Sequence, residues 1–301
     1  MRPKTLLTPA RRSEAISGYL FLLPSLIGFV TFVIYPILYG FYLSFTNGDG
    51  FNVPQWIGLT NYQRMLGDNL VLRSLSNNIT YTVLYVPANI ALSLLVAVIL
   101  HSRVRGSQPL KTVLFFPYIT SSIAITTIWK QMMLPETGPL NTVLRALGAT
   151  DPPRWLAASN SALGSIVIIA VWAHLGFNMV VFLAGLQSIS PDLYEAGMLD
   201  GARGWKLFRH ITFPMLSPTI FFLLTMGIIS SFKVFDFIFQ LTQGGPGNAT
   251  TVLVYRIYHE GILNMRFGYA SAIAYMLFAI ILVVTIVQFL LQDKWVYYDE
   301  G

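Results

Sequence analysis

Two ionisable residues lie inside an otherwise apolar stretch of the sequence. Lys233 and Asp236 are the charged side chains of roughly residues 217–241. A charge at membrane depth costs about 2.5–3.5 kcal/mol unless it is paired or hydrated. A spacing of three residues places both groups on one face of a continuous helix. Two interpretations follow: a salt bridge that neutralises both charges, or a pair that lines a solute cavity together with Phe232 and Phe235.

Aromatic rings beside hydrogen-bonding groups supply further candidates. Ser121 and Trp129 lie in one apolar run, and Trp172 and Asn178 lie in another. Such groups suit a sugar, because its C–H faces stack on rings and its hydroxyls need hydrogen-bond partners. The alternative is structural, since tryptophan anchors helices at membrane interfaces and serine is common where helices pack closely.

Several other kinds of chemistry find no support in the sequence. There is no cysteine, which excludes disulfides and thiol nucleophiles. No Gly, four residues, Gly-Lys-Ser/Thr phosphate loop occurs, and Gly244-Gly245-Pro246-Gly247 lacks the lysine, so it predicts a chain reversal. The histidines lack metal-ligand spacing, and neither paired catalytic carboxylates nor a nucleophile with its base is visible. We therefore expect no catalytic residue, metal or cofactor in this chain.

Six apolar runs are long enough to cross a membrane, which takes on the order of 20 helical residues for ~30 Å of hydrocarbon. The chain is 54% hydrophobic and 11% charged, against about 25% charged in an average soluble domain. The first run is too long for the apolar part of a cleaved signal, about 7–15 residues, so we expect a retained helix. The sequence predicts an all-α membrane protein with a cytoplasmic N-terminal arm (1–16), one transmembrane domain (17–292) and a tail (293–301). The predicted helices cover about 17–45, 77–100, 112–130, 161–187, 217–241 and 268–292.

The distribution of basic residues predicts the orientation. One side of the predicted membrane carries 11 Lys and Arg and the other carries 7. By the positive-inside rule, both termini and the loops near 101–111 and 188–216 face the cytoplasm. The net charge of +6 comes from these short loops, which favours membrane topology over nucleic-acid binding.

The loop 188–216, between the fourth and fifth runs, predicts two short helices outside the membrane. Ser190 is a suitable N-cap, Pro191 suits the first helical position, and acidic residues follow in the first turn. Gly201 and Gly204 predict a break, and Pro214 an end. An amphipathic pair of this kind fits a groove on another protein or a lipid surface, and the spacing alone does not choose between them.

The same loop resembles a known motif. Glu195-Ala196-Gly197, then Gly201, then Ile211 with Phe213-Pro214, are similar to the EAA loop of binding-protein-dependent ABC importer permeases. Two positions depart mildly from the family pattern, with Gly197 where a second alanine is usual and Phe213 where leucine is usual. The resemblance implies coupling helices that dock on an ATPase subunit. It assigns that contact to Glu195, Ala196, Gly197, Asp200, Gly201, Ala202, Ile211 and Pro214.

The resemblance extends from about residue 18 to 298 and is strongest to the carbohydrate-uptake branch, with maltose-type and glycerol-3-phosphate-type permeases both similar. It implies a second homologous permease, two ATPase subunits that bind ATP and Mg²⁺, an extracytoplasmic solute-binding protein and a sugar substrate. It also implies a multi-pass protein of a bacterial cytoplasmic (inner) membrane. Glycerol 3-phosphate is the alternative substrate. An ion-coupled secondary transporter and an intramembrane enzyme are the rival classes, and neither gives the loop a role.

Overall fold

The computed structural model describes residues 9–101 and 107–297. Residues 1–8 of the predicted arm, residues 298–301 of the predicted tail, and the basic residues Arg103 and Arg105 lie outside the described residues. Within those ranges the regular secondary structure is helical, apart from a single isolated β-bridge between Thr46 and Trp56. An all-α membrane fold is therefore confirmed.

The described helices are α1 Pro9–Phe29, α2 Tyr35–Ser44, α3 Thr60–Gly67, α4 Asn69–His101, α5 Ser107–Ile119, α6 Ser122–Met132, α7 Pro139–Ala146, α8 Ala162–Gln187, α9 Pro191–Leu199, α10 Trp205–Leu207, α11 Phe213–Met215, α12 Ser217–Phe232, α13 Asp236–Leu241, α14 Leu253–Tyr258 and α15 Phe267–Leu291. Wider π-helical turns occupy Val30–Ile34, Phe208–Thr212 and His259–Leu263, and 3₁₀ turns occupy Trp155–Ala157 and Gln292–Lys294.

Four helical stretches are each long and apolar enough to cross a membrane: Ser17–Ser44, Asn69–His101, Ala162–Gln187 and Phe267–Lys294. Two further pairs qualify when each pair is taken as one bent span. Gln108–Ile119 meets Ser122–Met132 at 98°, and Trp205–Met215 meets Ser217–Phe232 at 63°. The described chain thus has four to six spans by length and composition, and six is the number that the sequence predicted.

The third span is broken, whereas the sequence predicted one helix over 112–130. Pro117 has no N–H to continue the ladder, and Ser121 adopts an extended conformation with φ −55° and ψ 132°. The first half, α5, lies directly against the backbone of α8. A Cβ on Gly176 of α8 would lie 2.1 Å from the carbonyl oxygen of Leu114, so only glycine permits this approach.

The fifth span is also broken, which corrects the prediction of one helix over 217–241. α12 ends at Phe232, and α13 begins only at Asp236. The side chain of Asn78, on α4, compensates for the interrupted backbone ladder. Its Nδ2 donates to the carbonyl oxygens of Ser231 and Phe232 at 3.3 and 3.4 Å, and its Oδ1 accepts from the N–H of Leu253 at 2.8 Å. A break inside a membrane domain is tolerated when neighbouring helices supply such partners.

The helices α4 and α8 form the centre of the bundle and run in the same direction. Ile166 and Ile169 pack near Tyr81 at one end of the pair, and Phe182 packs near Leu100 at the other. The short helices that follow α8, beginning with α9, therefore lie at the opposite end of the bundle from the start of α4. In the first span, by contrast, the most apolar 18 residues of Ser17–Ser44 are not buried within the chain, so they are available to lipid or to another subunit.

An ion network holds the bundle together at the start of α4. Arg256 of α14 contacts Asp68 at 3.5 Å and Glu260 at 2.7 Å, and Arg266 contacts Glu260 at 3.3 Å. Tyr269 of α15 donates its hydroxyl to Asp68 at 2.8 Å. Partial burial acts to raise the pKa of Asp68, but this hydrogen bond, the backbone N–H groups of the following turn and the charge of Arg256 outweigh it and lower that pKa.

Candidate functional site

Three adjoining cavities lie inside the bundle and share His174 of α8. The largest, which we call the central cavity, has a volume of about 240 Å³, and its neighbours have about 150 and 130 Å³. The central cavity is lined by Tyr85, Val86, Asn89, Ile90, Tyr118, His174, Phe177, Asn178, Phe222, Leu223, Met226, Gly227 and Ser230. It combines aromatic rings with amides and a hydroxyl, as binding sites for polar organic solutes do.

The imidazole of His174 is held in place by contacts on several sides. Its Nδ1 lies 2.9 Å from the carbonyl oxygen of Ala170, one turn earlier in α8. Its ring meets those of Tyr85, Tyr118 and Phe237 edge-on, with centroids 6.0, 6.0 and 5.9 Å away. The ring is therefore fixed where α4, α5, α8 and α13 meet, and it borders each of the three cavities.

Paired amides form the wall of the central cavity between α4 and α8. Asn178 donates to the Oδ1 of Asn89, and Asn89 donates to the carbonyl oxygen of Val171 at 3.1 Å. One turn further along α4, Ser93 donates to the carbonyl oxygen of Leu175 at 3.1 Å. These bonds fix the two helices relative to each other and orient the amides, so the polar wall is preformed.

The second cavity contains the charged residues of the fifth span. Lys233, Phe235 and Asp236 line it together with Tyr85 and His174. In the part of the chain that the structure describes, Lys233 and Asp236 form no ion pair, and both are exposed within the single chain. The proposed intrahelical salt bridge is therefore wrong, because the break after Phe232 removes the common helical face that the bridge required.

Of the other predicted pathway residues, all but Asn178 line none of these three cavities. Phe232 is buried against Tyr269 and Ile273, in the packing between α12 and α15. Trp129 and Trp172 contact each other edge-on with centroids 5.5 Å apart, and neither lines any of the three cavities. Ser121 stands at the bend between α5 and α6, between the lining residues Thr120 and Ser122. Asn178 is the predicted residue that lines the central cavity itself.

Sequence reasoning did not select the α4 side of the cavity. The buried polar residues of α4 recur along one helical face at intervals of three and four: Asn78, Thr82, Tyr85, Asn89 and Ser93. That spacing in a charge-free run is a signal of an interior polar face. Tyr118 and Ser230, which also line the central cavity, carry no comparable signal because their helices are broken nearby.

A second candidate site lies at the other end of α8. It is a helix pair formed by α9, Pro191–Leu199, and a second short helix, Trp205–Met215, which comprises α10, a π-helical turn and α11. The hydroxyl of Ser190 accepts from the N–H of Asp192 at 3.3 Å at the start of α9, which confirms the predicted cap. Gly201 and Gly204 have φ values of +79° and +51°, and they separate α9 from α10 as predicted. Pro214 does not end the second helix, which continues to Met215 and bends at Leu216.

The close approach of α9 to the second short helix explains one departure from the family motif. A Cβ on Gly197 would lie 2.5 Å from Cδ1 of Ile211 and 3.1 Å from Cδ2 of Leu207, so glycine permits this contact without rearrangement. The hydroxyls of Tyr194 and Thr212, 3.1 Å apart, join the same two segments. The pair therefore forms a single unit.

The outer surface of this unit is apolar at its tip. Leu199 is 90% exposed, Trp205 is 70% exposed and Met198 is 50% exposed, although all three lie beyond the membrane-spanning part of α8. Glu195 and Asp200 are exposed beside them. Large exposed apolar groups rimmed by charges mark an interaction surface rather than a surface left in water.

Comparison with known proteins assigns the chain to a family. A model described as "Binding-protein-dependent transport system inner membrane component" matches residues 65–297. The probable ABC transporter permease protein YesP of Bacillus subtilis is 34% identical over 293 residues, 96% of this chain and 94% of the relative. The sn-glycerol-3-phosphate permease UgpA of Brucella suis is 35% identical over 94% of this chain and 97% of its own length. The trehalose/maltose permease MalF of Thermococcus litoralis is 35% identical over 91% and 92%.

A solved structure has the same fold. A subunit of a bacterial ABC transporter that imports the acidic polysaccharide alginate superposes with a TM-score of 0.82 at 24% identity, over 94% of this chain and 96% of that one. The family match also favours a permease over the secondary-transporter and enzyme alternatives. This chain belongs to the binding-protein-dependent inner membrane components, the permease subunits of ABC importers.

Proposed function

We propose that this chain forms, with a second homologous permease, the membrane pathway for a neutral mono-, di- or oligosaccharide. The observation that carries the proposal is the lining of the central cavity, where Tyr85 and Tyr118 stand beside the amides of Asn89 and Asn178. Rings for the C–H faces of a sugar and amides for its hydroxyls are thus combined within about 240 Å³. The trehalose/maltose relative is consistent with this substrate class.

sn-Glycerol 3-phosphate is a second candidate on the strength of one observation. Lys233 is exposed in the cavity next to the central one and has no ion pair with Asp236. A free ammonium is a suitable partner for a phosphate, whereas a neutral sugar needs no charge there. The glycerol-phosphate permease among the relatives keeps this candidate open.

The proposal includes partners that supply the energy. The helix pair α9–α11, with Glu195, Ala196, Gly201 and the other predicted coupling residues, would dock on ATPase subunits that bind ATP and Mg²⁺. Its exposed apolar tip supports a protein partner in place of water. With that pair in the cytoplasm, the start of α4 faces outward, where a solute-binding protein would dock. The assembled transporter would lie in the bacterial cytoplasmic membrane.

Coupling would follow from differential binding. A loaded solute-binding protein and ATP must each bind the outward-facing state more tightly than the inward-facing one, because a ligand shifts an equilibrium only by its difference in affinity. Rigid-body movement of the helix pair would then pass into α8 and α12, which adjoin it in the chain.

Uptake by the complete transporter tests the substrate. Cells that express it with its partner subunits are given labelled maltose, trehalose, raffinose or sn-glycerol 3-phosphate. Uptake of a neutral sugar that depends on ATP hydrolysis supports the proposal. Uptake of sn-glycerol 3-phosphate alone, lost on Lys233→Gln, supports the second candidate, since a charge-assisted hydrogen bond contributes about 1.5–3 kcal/mol, or roughly ten- to 150-fold.

Substitution at Asp236 tests the pathway. Asp236→Asn is expected to lower uptake while the amount of assembled complex stays normal, because Asp236 borders two of the cavities. Asp151→Asn, an exposed aspartate in a loop, is the matched control and should leave uptake unchanged. Loss of assembled complex in Asp236→Asn would instead assign the residue a structural role.

A further inference from the structure

A fourth cavity, of about 180 Å³, lies near the start of α4 and apart from the central cavity. We call it the outer cavity; it is lined by Leu70, Gln243, Asn248, Thr251, Tyr255, Arg256 and His259. The α13–α14 loop folds back over the bundle here and supplies three of these residues.

The wall of the outer cavity is held firmly. Asn77 of α4 donates to the carbonyl oxygens of Asn248 and Thr251 at 3.0 and 2.8 Å. Gly244 has a φ of +82°, and a Cβ on it would lie 3.0 Å from the ring of Tyr255, so the loop rests directly against that ring. The cavity is thus preformed and does not depend on an ordering loop.

The lining is polar but offers little net charge. The guanidinium of Arg256 is paired with Asp68 and Glu260, which offset its charge. Around it, Gln243, Asn248 and Thr251 supply amides and a hydroxyl. This chemistry suits a neutral polyol more than an anion.

Aromatic rings connect the outer cavity to the charged cavity of the fifth span. Tyr255 of the outer cavity and Phe235 have ring centroids 6.5 Å apart at 29°, and Phe235 lines the cavity of Lys233 and Asp236. Tyr258 packs against both rings, with its centroid 5.4 Å from that of Phe235 and 6.3 Å from that of Tyr255. The three rings therefore form a contiguous aromatic cluster between the two cavities, and aromatic rings attract the C–H faces of sugars.

We propose that the outer cavity is a receiving site for a neutral sugar residue, which binds there before it reaches the central cavity. The proposal rests on the sugar-uptake function proposed above. It adds a second binding site in this chain, with Tyr255 as the stacking surface and the amides of Gln243 and Asn248 as hydrogen-bond partners.

A cysteine-labelling experiment on the assembled transporter tests the site. The chain has no cysteine, so Leu70→Cys gives a single reactive thiol on this subunit, and the side chain of Leu70 makes no hydrogen bond that the substitution would remove. Leu66→Cys, an exposed position of α3, is the matched control. The rate of reaction with a maleimide is measured with maltose, trehalose, raffinose or sn-glycerol 3-phosphate present. We expect the transported sugar to slow labelling of Leu70→Cys, halving it at half occupancy, and to leave Leu66→Cys unchanged.

Variants of Tyr255 separate binding from structure. Tyr255→Leu removes the aromatic face and should raise the sugar concentration needed for protection roughly three- to tenfold. Tyr255→Phe keeps the face and should leave that concentration unchanged. If Tyr255→Leu destabilised the complex, the labelling rate of Leu66→Cys and the yield of complex would change as well, and Tyr255→Phe would still report on the site.

The outcomes are distinct. If the wild-type complex takes up a sugar that leaves Leu70→Cys labelling unchanged, the outer site is refuted and the uptake function stands. Stronger protection by sn-glycerol 3-phosphate than by any sugar would overturn the neutral assignment. If the wild type takes up none of the sugars, the proposed function fails in the uptake assay, and the receiving site fails with it.

Discussion

Asn78 is expected to hold the break in the fifth span, and Asn78→Ala measures how much that support contributes. The substitution leaves the N–H of Leu253 without its 2.8 Å acceptor and the carbonyl oxygen of Phe232 without the Asn78 donor. The carbonyl oxygen of Ser231 keeps only the long bond from the N–H of Val234, at 3.4 Å. A buried polar group left unsatisfied costs about 1–3 kcal/mol. The two bonds to carbonyl oxygens are long, so each contributes at or below the lower end of that range, whereas the short bond to Leu253 contributes more. The free energy of unfolding should therefore fall by about 3 kcal/mol in total.

Two further variants sharpen this prediction. Asn78→Asp keeps an acceptor for Leu253 but places a second acceptor against two carbonyl oxygens, so it should be no more stable than Asn78→Ala. Asn69→Ala, an exposed asparagine at the start of the same helix, should change stability by less than about 0.5 kcal/mol.

The assay is the free energy of unfolding from SDS titration in mixed micelles, with sugar uptake per assembled complex measured in parallel. Uptake should fall with stability, because Lys233 and Asp236 flank the break that Asn78 supports. If Asn78→Ala were as stable as Asn69→Ala, the compensation of the broken span by α4 would be refuted.

Further expectations concern two glycines and one carboxylate. Gly176→Ala should lower stability by about 1–3 kcal/mol or more, because its methyl would meet the backbone of α5; Gly164→Ala in the same helix has open space and should be neutral or stabilising in the same titration. Gly201→Ala should destabilise the helix pair locally by about 1–2 kcal/mol and reduce co-purification of the ATPase. Gly148→Ala is the control, because Gly148 also has a positive φ, +97°, but lies on the opposite side of the membrane; it should not affect recovery of the ATPase. Asp68→Asn should lower the thermal midpoint at neutral pH. Because the folded-state pKa of Asp68 is lowered, the contribution of its carboxylate is complete above the unfolded pKa of about 3.9 and is lost as pH falls through the folded value, so the wild type and the variant should converge only in strong acid.

The candidate sites were predictable to different degrees. The helix pair at 190–215 follows from local chemistry, since a cap, a first-turn proline and two glycines specify it within a few residues. The cavity is a different case, because its lining comes from α4, α5, α8 and α12, and hydropathy does not state how four apolar helices are rotated about their axes. The predicted Phe232 and Trp172 therefore pack elsewhere, while Tyr85 and Tyr118 line the cavity.

Sequence alone determined the membrane class, the six apolar runs and the break at Gly201, because each depends on composition or on neighbours within a turn or two. Only the tertiary structure decided that Lys233 and Asp236 do not share a helical face. The bond from Asn78 to the carbonyl of Ser231 joins residues 153 positions apart. A backbone break in an apolar helix is stable only where such a distant partner satisfies the freed groups, and that partner becomes visible once the helices are packed.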